Sequence, residues 1–374
     1  MQKLRVGIIF GGRSGEHDVS LRSARSVMQA LDREKYEIVP IGITRTGEWK
    51  VAQSKLLATS NGSVPLLEAD AHDARAATLL SGAETSALLQ IDSEAKLTEF
   101  ATLDVVFPVL HGTYGEDGTV QGLLELANVP YVGGGVVGSA VGMDKAIFKY
   151  VMESQGLPVL PWKLVLRSRW QEDENAVLSL LESTLNYPMF TKPANLGSSV
   201  GIAKCADRAA LKAGIADAAR FDRRIVVEQG VQTVRELEVA VLGNDRPTAS
   251  VVGEIRPKRA FYDYKAKYIT DDSALLIPAP ISAEMSDKIR QLAIAAYTAI
   301  DGAGLGRADF LLDAESGQLY INEINTLPGF TDISMYPKLW EATGLTYSGL
   351  LDKLIELALE RFDEKVANVT TFEG

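Results

Sequence analysis

Two carboxylates and one amide in this chain are spaced so that a single β-hairpin would bring them together. They are Asp309, Glu323 and Asn325, which lie in two strand-like stretches on either side of a turn-forming segment at 314–318. A hairpin folded about Ser316 puts Asp309 directly opposite Glu323. Because side chains alternate between the two faces of a strand, Asn325 then falls on the same face.

The same two-residue period predicts that this face continues through the apolar residues Leu311, Leu319 and Ile321. Opposed carboxylates on a half-buried face repel each other, and a bound cation would remove that repulsion. Hard oxygen ligands without a neighbouring His or Cys suit Mg²⁺, which completes its shell with phosphate oxygens and water. The alternative is a solvated hairpin on which acidic residues stand by chance.

The composition excludes several classes of protein. A formal net charge of −11 spread over 374 residues argues against nucleic acid or an anionic membrane as a partner. The single cysteine, Cys205, excludes a disulfide framework, and the three scattered histidines form no zinc motif. No apolar run approaches the length of a membrane span and no leader precedes the first strand, so we expect a soluble, cytoplasmic protein of two or three domains.

The order of predicted elements changes near residue 140. Before it, strands alternate with helical stretches, which is typical of a parallel α/β unit, and segment 55–96 is predicted to form peripheral helices and loop. After it, antiparallel strands and helices form an α+β arrangement that ends in an amphipathic helix over 347–362. The predicted strands span 4–10, 38–43, 103–110, 129–132, 187–192, 199–204, 225–228 and 237–242, and the first helix spans 20–31.

Two glycine-rich loops follow strands of the first unit, where α/β proteins bind ligands. The loop at 10–16 does not fit a dinucleotide fingerprint, because Phe10 occupies the first glycine position and no acid ends the next strand. Its amides could hold an anion and Glu16 an ammonium group, although an ordinary tight turn explains it equally well. The loop at 111–118 contains three glycines, which indicates a close approach of the backbone to a ligand.

A third glycine-rich loop, at 192–201, is a candidate phosphate clamp. Lys192 closes a strand and offers a point charge, and the Gly and Ser residues after it offer amide and hydroxyl donors. The loop is not a Walker A motif, because it lacks Gly-Lys-Ser/Thr. A phosphate clamp and a magnesium hairpin in one chain predict nucleotide-dependent phosphoryl transfer.

From residue 11 to 350 the chain resembles the D-alanine–D-alanine ligases of the ATP-grasp superfamily. The resemblance implies an ATP-grasp fold, of combined α/β and α+β class, with a Rossmann-like N-terminal domain at 1–140 and grasp subdomains at 141–235 and 236–374. It also implies ATP as co-substrate, two Mg²⁺ or Mn²⁺ ions, and a homodimer with no nucleic-acid or membrane partner. The motifs that carry it are Gly11-Gly12 with Glu16 and Ser20, then 111–118, 192–199, 261–268 and 323–330.

The resemblance places ATP between the two grasp sheets. Residues 228–231 match the hinge that hydrogen-bonds adenine, although Gln229 stands where many relatives have lysine, and Glu236 matches the acid that holds the ribose. Asp309, Glu323 and Asn325 match the metal ligands. The full set implied to bind ATP is Lys145, Lys192, Ser198, Ser199, Glu228, Gln229, Val231, Glu236, Lys267 and Asn322.

The resemblance also implies where the substrates bind. Glu16 would bind the ammonium group of the first D-alanine, and Ser334 and Met335 lie where the second is held; His111 is also implied to bind substrate. In the family, Glu16 is linked through a serine to a tyrosine on a lid that spans 261–268 here. An arginine and a glycine amide match an oxyanion hole. The implied catalytic residues are Glu16, Ser198, Tyr268, Arg307 and Gly329.

The reaction implied is the synthesis of D-alanyl-D-alanine, through an acyl phosphate, for peptidoglycan precursors. Two alternatives remain open at this stage. A D-alanine–D-lactate ligase would share the fold and chemistry, and the Lys267-Tyr268 pair argues against it. A non-catalytic nucleotide-binding protein would be expected to have lost some of the residues Arg307, Asp309, Glu323 and Asn325, all of which are present.

Overall fold

The computed structural model of the chain contains three β-sheets and the helices that cover them. It describes residues 3–52, 74–80, 87–92, 94–197, 200–257, 273–331 and 333–369. Within those ranges, no helix combines the length and the apolar character that crossing a membrane requires.

The first sheet contains seven strands. They are β1 (Leu4–Gly11), β2 (Tyr36–Ile43), β3 (Trp49–Ala52), β4 (Ala74–Leu79), β5 (Ala87–Ile91), β6 (Leu97–Thr102) and β7 (Val105–Val109). Their order in the sheet is β6-β5-β4-β3-β2-β1-β7. Strand β1 runs parallel to both β2 and β7, whereas the other neighbours are antiparallel. The loops after β1 and β7 therefore leave the same edge of the sheet side by side.

Two predictions for this sheet are wrong. Inside 55–96, which we expected to be helix and loop, the described segments Ala74–Leu79 and Ala87–Ile91 are strands, so the sheet is mixed. Alanine alone does not favour strands, but these segments pair with strands on both sides, and that context overrides the weak preference. The strand predicted at 129–132 is a single bridge between Tyr131 and Val106.

The second and third sheets are antiparallel throughout, as predicted for this half of the chain. The second contains β8 (Trp162–Leu166), β9 (Met189–Pro193), β10 (Ala203–Cys205) and β11 (Arg224–Gln229), in the order β10-β9-β11-β8. The third contains β12 (Val234–Leu242), β13 (Thr248–Pro257), β14 (Ser273–Leu276), β15 (Leu305–Asp313) and β16 (Leu319–Asn325), in the order β14-β13-β12-β15-β16. The strand predicted at 199–204 begins only at Ala203.

Helices connect and cover the sheets. One cap matters for the site: Asp144 accepts hydrogen bonds from the amides of Ala146 and Ile147, which fixes a helix start at Lys145. The last helix runs past its predicted end at 362. The described helices are α1 (His17–Ala30), α2 (Thr119–Leu126), α3 (Val136–Met143), α4 (Lys145–Ser154), α5 (Arg167–Glu172), α6 (Glu174–Thr184), α7 (Arg208–Phe221), α8 (Ala283–Ala299), α9 (Met335–Thr343) and α10 (Tyr347–Val366).

One core cluster joins the first sheet to the segment that follows β16. Its centre is Phe330, which is buried edge-on against Phe107 of β7 with ring centroids 5.8 Å apart. Phe330 also packs on Tyr336 of α9 at 5.5 Å, and its amide donates a hydrogen bond to Ser23 of α1 at 3.3 Å. Because buried aromatic rings contribute much of a core's packing energy, this segment is held firmly against the loops after β1 and β7.

Candidate active site

The third sheet brings a row of acidic side chains together. Asp309 of β15 pairs with Glu323 of β16, which confirms the predicted opposition of the two carboxylates. On the other side of β15, Glu238 of β12 pairs with Asp309, so three acids cross three neighbouring strands. Sequence reasoning missed Glu238, although it stands two residues after Glu236 and therefore on the same face of β12.

The predicted apolar continuation of the acidic face is wrong. The pairing of β15 with β16 is irregular just after the opposed carboxylates, where Asn322 has no partner in the ladder. Because of the extra residue, the side chains of β16 on the turn side of Asn322 alternate in the opposite phase from those after it. Leu319 and Ile321 consequently pack in the core beneath the sheet, and Leu311 alone keeps its predicted face, half-buried.

A cation of the protein itself lies within the acidic row. Arg307 donates two hydrogen bonds of 2.7 Å to Asp309, from Nε to Oδ1 and from Nη2 to Oδ2. Its Nε also lies 2.9 Å from Glu238 Oε2, and Asn325 Nδ2 donates to Asp309 Oδ2 at 3.0 Å. This bidentate charge-assisted pairing relieves the repulsion from which we predicted a bound cation. The repulsion by itself therefore does not require a metal.

Two lysines face the acidic row from the second sheet's side of the site. Lys145, the first residue of α4, has its Nζ 3.7 Å from Glu323 Oε2 and donates to the carbonyl of Leu196 at 2.8 Å. Lys192 at the end of β9 donates to Asn322 Oδ1 at 3.3 Å. The structure thus brings together four of the predicted site residues from α4, β9 and β16.

A buried ion cluster lies beside these lysines. Glu228 of β11 is 2% exposed, and its two oxygens are divided between Lys149 Nζ at 2.8 Å and Lys192 Nζ at 2.6 Å. Burial alone would raise the pKa of Glu228, but the two ammonium groups outweigh it and lower that pKa to about 2. Sequence reasoning missed Lys149. Its signal was a spacing of four residues from Lys145, which puts both lysines on one face of a helix.

The predicted adenine hinge begins with the last two residues of β11, Glu228 and Gln229. The amide of Gln229 donates to the carbonyl of Pro161 at 2.9 Å, and its side-chain oxygen accepts from the amide of Asn186 at 2.9 Å. The side chain is therefore engaged with the loop before β9. Val231 and Glu236, the other predicted nucleotide contacts here, are half-buried.

The glycine loops close around Glu16, which is 7% exposed just before α1. Ser14 Oγ accepts from the Glu16 amide at 2.9 Å and donates to the carbonyl of His111 at 2.7 Å, which ties two of the loops together. A Cβ added to Gly112 would lie 2.5 Å from Glu16 Oε2, and one added to Gly197 would lie 3.3 Å from it. Both loops need glycine because the Glu16 carboxylate lies against their backbones.

His111 links this carboxylate to the segment after β16. Its Nδ1 lies 3.1 Å from the carbonyl of Leu327, and its Nε2 lies 3.0 Å from Ser23 Oγ. Burial opposes charge on His111, but the carboxylates of Glu116 and Glu16 outweigh it and raise the pKa of the imidazole. Burial, with Glu16 nearby, also raises the pKa of Glu116. Glu116 is a second acid beside Glu16 that we did not predict.

The predicted sites for the oxyanion and the second substrate adjoin each other. A Cβ on Gly329 would lie 2.9 Å from Ser334 Oγ. That hydroxyl is held by Thr331, with Oγ1 at 2.7 Å and the amide at 3.0 Å. Met335 is different, because its side chain is buried in the core cluster around Phe330. Ser334 therefore lies beside Gly329, and the Met335 side chain contributes packing here, while the roles of both in substrate binding stay a prediction.

A cavity of about 430 Å³ opens between the loops after β1 and β7. Arg13 and Tyr114, one from each loop, both line it and contact each other through a 2.7 Å hydrogen bond, with the guanidinium 4.6 Å from the ring centre. The glycine-rich loops that we expected to approach a ligand thus border an open space. Its apolar walls include Ile43, Trp49, Leu110, Val120 and Leu123.

Family comparison agrees with this arrangement. The model described as D-ala D-ala ligase N-terminus matches residues 5–134, and the model described as D-ala D-ala ligase C-terminus matches residues 151–356. The chain belongs to the D-alanine–D-alanine ligase family. The protein named D-alanine–D-alanine ligase in Heliobacterium modesticaldum is 51% identical over 99% of this chain and 98% of its own length. The protein named D-alanine–D-alanine ligase in Bacillus cytotoxicus is 49% identical over 98% of this chain and 98% of its own length.

Solved structures of the family share the fold. The D-alanine-D-alanine ligase of Coxiella burnetii is 35% identical with a TM-score of 0.83, covering 98% of this chain and 97% of that one. The VanG D-Ala:D-Ser ligase of Enterococcus faecalis is 36% identical with a TM-score of 0.84, covering 96% and 100%. The predicted ATP-grasp fold class is thereby confirmed, while the domain boundaries at 140 and 235 stay a prediction.

Other family expectations concern residues outside the described ranges. Ser198, Ser199, Lys267 and Tyr268 all fall there, with the whole of the expected lid at 261–268. Of the residues that are described, no group of three or more His, Cys, Asp or Glu side chains is placed to hold a metal ion. The smaller donor set of Asp309, Glu323 and Asn325 still suits a hard cation that takes its other ligands from phosphate and water.

Proposed function

We propose that this chain joins two D-alanine molecules into D-alanyl-D-alanine, a peptidoglycan precursor, while ATP becomes ADP and phosphate. The observation that carries the proposal is the approach of Lys145 and Lys192 to Glu323 and Asn322 of β16. The two lysines can bind phosphates, and the oxygen atoms of the β16 side chains that they face can bind a cation. Phosphoryl transfer from a nucleotide requires both. The names of relatives that are 47% to 51% identical support the choice of substrates.

The nucleotide would lie between the second and third sheets. Lys145 and Lys192 supply positive charge for its phosphates, because both ammonium groups border the space next to β16. We assign the adenine to the backbone of 228–231 and the ribose to Glu236. The side chain of Gln229 is excluded from this role as it stands, since it binds the Asn186 amide.

The chemistry would proceed in two steps. An oxygen of the first D-alanine carboxylate bonds to the γ-phosphorus as the bond to ADP breaks, which gives D-alanyl phosphate. The free amine of the second D-alanine then attacks the carbonyl carbon, and phosphate leaves with the former carboxylate oxygen. Arg307 and the Gly329 amide would stabilise the oxyanion, and loss of such a donor typically costs about 10² to 10³ in rate.

Glu16 is the proposed anchor for the ammonium group of the first D-alanine. It is a buried carboxylate bordered by the Gly112 and Gly197 backbones, and it lies in the loop that Ser14 ties to His111. We further propose that Ser334 contacts the second D-alanine, because it adjoins Gly329.

Asp309, Glu323 and Asn325 would hold two Mg²⁺ or Mn²⁺ ions together with the phosphates of ATP. Bound there, the ions supply positive charge against the transferring phosphoryl group. In the structure Asn325 presents its Nδ2 to Asp309, and a turn of the amide about its terminal bond would present the oxygen instead.

The nature of the second substrate is the finer question. The curated relatives' names favour D-alanine over D-lactate, whereas the 36% identical neighbour from Enterococcus faecalis is titled a D-Ala:D-Ser ligase. ADP formation should be measured with D-alanine alone, with L-alanine alone, and with D-alanine plus D-lactate or D-serine. We expect turnover with D-alanine alone, and no dipeptide from it would overturn the proposal. We also propose a cytoplasmic homodimer, on the family resemblance alone.

A further inference from the structure

Lys149 is the most deeply buried charged side chain beside the proposed nucleotide site. Its side chain is 1% exposed, so its ammonium group cannot touch a nucleotide without rearrangement. Its Nζ lies 2.8 Å from Glu228 Oε1, yet it makes no well-directed hydrogen bond to any described residue. Buried lysines are rare unless they are paired, because burial disfavours the charged form. Burial lowers the pKa of the Lys149 ammonium group, while the carboxylates of Glu228 and Glu153 oppose that shift. The 2.8 Å contact with Glu228 is therefore the interaction that favours the charged form of Lys149 in this buried position.

The cluster carries one more positive charge than negative. Glu228 takes Lys149 with one oxygen and Lys192 with the other, at 2.8 Å and 2.6 Å. Two ammonium groups against a single carboxylate leave a net charge of +1. Without Lys149, Glu228 and Lys192 would form a neutral pair, and Lys192 would offer an incoming phosphate little attraction.

The two lysines differ in what they face. Lys192 is 12% exposed and reaches Asn322 of β16 at 3.3 Å, so its ammonium group borders the space between the sheets. Lys149 sits one helical turn beyond Lys145 on α4, where it is 1% exposed and contacts Glu228. Lys192 is thus the residue placed to contact the phosphates, and Lys149 is the residue that balances the charge of Glu228.

We propose that Lys149 is a positioning residue for nucleotide binding: it balances Glu228, so that Lys192 keeps a positive charge for the phosphates of ATP. The proposal rests on the proposed function, since it takes the nucleotide to lie beside Lys192. Glu228 is correspondingly the group that holds Lys192 in place, and its charge must be matched by a second cation.

The test measures the equilibrium dissociation constant of ADP, with Mg²⁺ present, for the purified full-length protein and for variants that remove or keep the charge at residue 149. Lys149→Met removes the charge but keeps the side chain's bulk. We expect the dissociation constant for ADP to rise about 10- to 100-fold, as for the loss of one charge-assisted interaction. Lys149→Arg keeps the positive charge at the same position, and it should bind ADP within about threefold of the wild type.

A matched control separates the local effect from the change in net charge. Lys212→Met removes one positive charge from α7, where Lys212 is 58% exposed and pairs only with Glu174 among the described residues. It should leave the ADP dissociation constant unchanged. The steady-state KM for D-alanine should stay within about twofold of the wild type in Lys149→Met, since Glu16 lies in another part of the site.

The outcomes distinguish three cases. If the wild type binds no ADP, the proposed function itself fails. If it binds ADP and Lys149→Met binds equally well at an unchanged or lowered melting temperature, Lys149 is only structural and the inference is wrong. Binding that is weakened equally in Lys149→Met and in Lys149→Arg, at the wild-type melting temperature, also overturns it, because the charge of Lys149 would then not be what supports ADP binding.

Discussion

Replacing Gly112 by alanine tests whether the Glu16 carboxylate lies in the substrate site. Gly112 has a φ of +73°, and a Cβ there would lie 2.5 Å from Glu16 Oε2. Real Cβ contacts essentially never fall below 3.0 Å, so the carboxylate must retreat by about half an ångström. Because a misplacement of about 1 Å at a reacting centre costs on the order of 10²-fold, we expect kcat/KM for D-alanine to fall about tenfold.

Backbone strain must be separated from the displacement of Glu16. An L-residue in the left-handed region costs about 1–2 kcal/mol, so Gly112→Ala should lower the free energy of unfolding by that amount in urea titrations. Gly317 at the tip of the β15–β16 hairpin is the matched control, because its φ is +72° and a Cβ there meets nothing within 4 Å. Gly317→Ala should show the same loss of stability and wild-type kinetics with D-alanine.

The assay is the initial rate of ADP formation against D-alanine at saturating ATP, for the wild type and both variants. KM for ATP should be unchanged in both, since a Cβ at Gly112 meets Glu16 and Ser14, and a Cβ at Gly317 meets nothing within 4 Å. Identical D-alanine kinetics in Gly112→Ala and Gly317→Ala would refute the assignment of Glu16. A fall in both variants would show that strain, and not the carboxylate, controls the rate.

Three further predictions follow from the site. Arg307→Lys loses the two-point contact with Asp309 that positions the proposed oxyanion donor. We therefore expect kcat to fall about 10² to 10³-fold, while the ADP dissociation constant measured by calorimetry stays within a few-fold. Glu323→Gln should raise the Mg²⁺ concentration needed for half-maximal rate by at least roughly tenfold. Wild-type activity at limiting Mg²⁺ would remove Glu323 from the ligand set. The pKa of Glu228 is lowered from 4.5 to about 2. The charge of Glu228 therefore stabilises the fold above about pH 4.5, and this contribution is lost as the pH falls towards 2. In acid unfolding curves, the difference in unfolding free energy between wild type and Glu228→Gln should shrink over that window by up to roughly 3 kcal/mol.

The hairpin that carries the opposed carboxylates was predictable from its turn residues and the two-residue period. Its register was not, because Leu312 pairs with Leu319 next to the turn, and the extra residue Asn322 is what brings Glu323 opposite Asp309. The irregularity at Asn322 carries no local signal in the sequence. It depends on the packing of Leu319 and Ile321 into the core beneath the sheet, which is a tertiary effect.

The remaining misses have the same origin. Lys149 reads as a surface lysine of an amphipathic helix until the second sheet places Glu228 against it, 79 positions further along the chain. The alanine-containing strands Ala74–Leu79 and Ala87–Ile91 exist because neighbouring strands pair with them. In each case the deciding contact is distant in sequence, and local preference is too weak to reveal it.

The central claim is that a D-alanine carboxylate oxygen is transferred to phosphorus before the peptide bond forms. It is tested most directly by supplying D-alanine labelled with ¹⁸O in both carboxylate oxygens, together with unlabelled ATP in unlabelled water. The released phosphate is then analysed by mass spectrometry. We predict one ¹⁸O atom in each phosphate, with one phosphate and one ADP per dipeptide. Unlabelled phosphate, or AMP in place of ADP, would contradict the acyl-phosphate route.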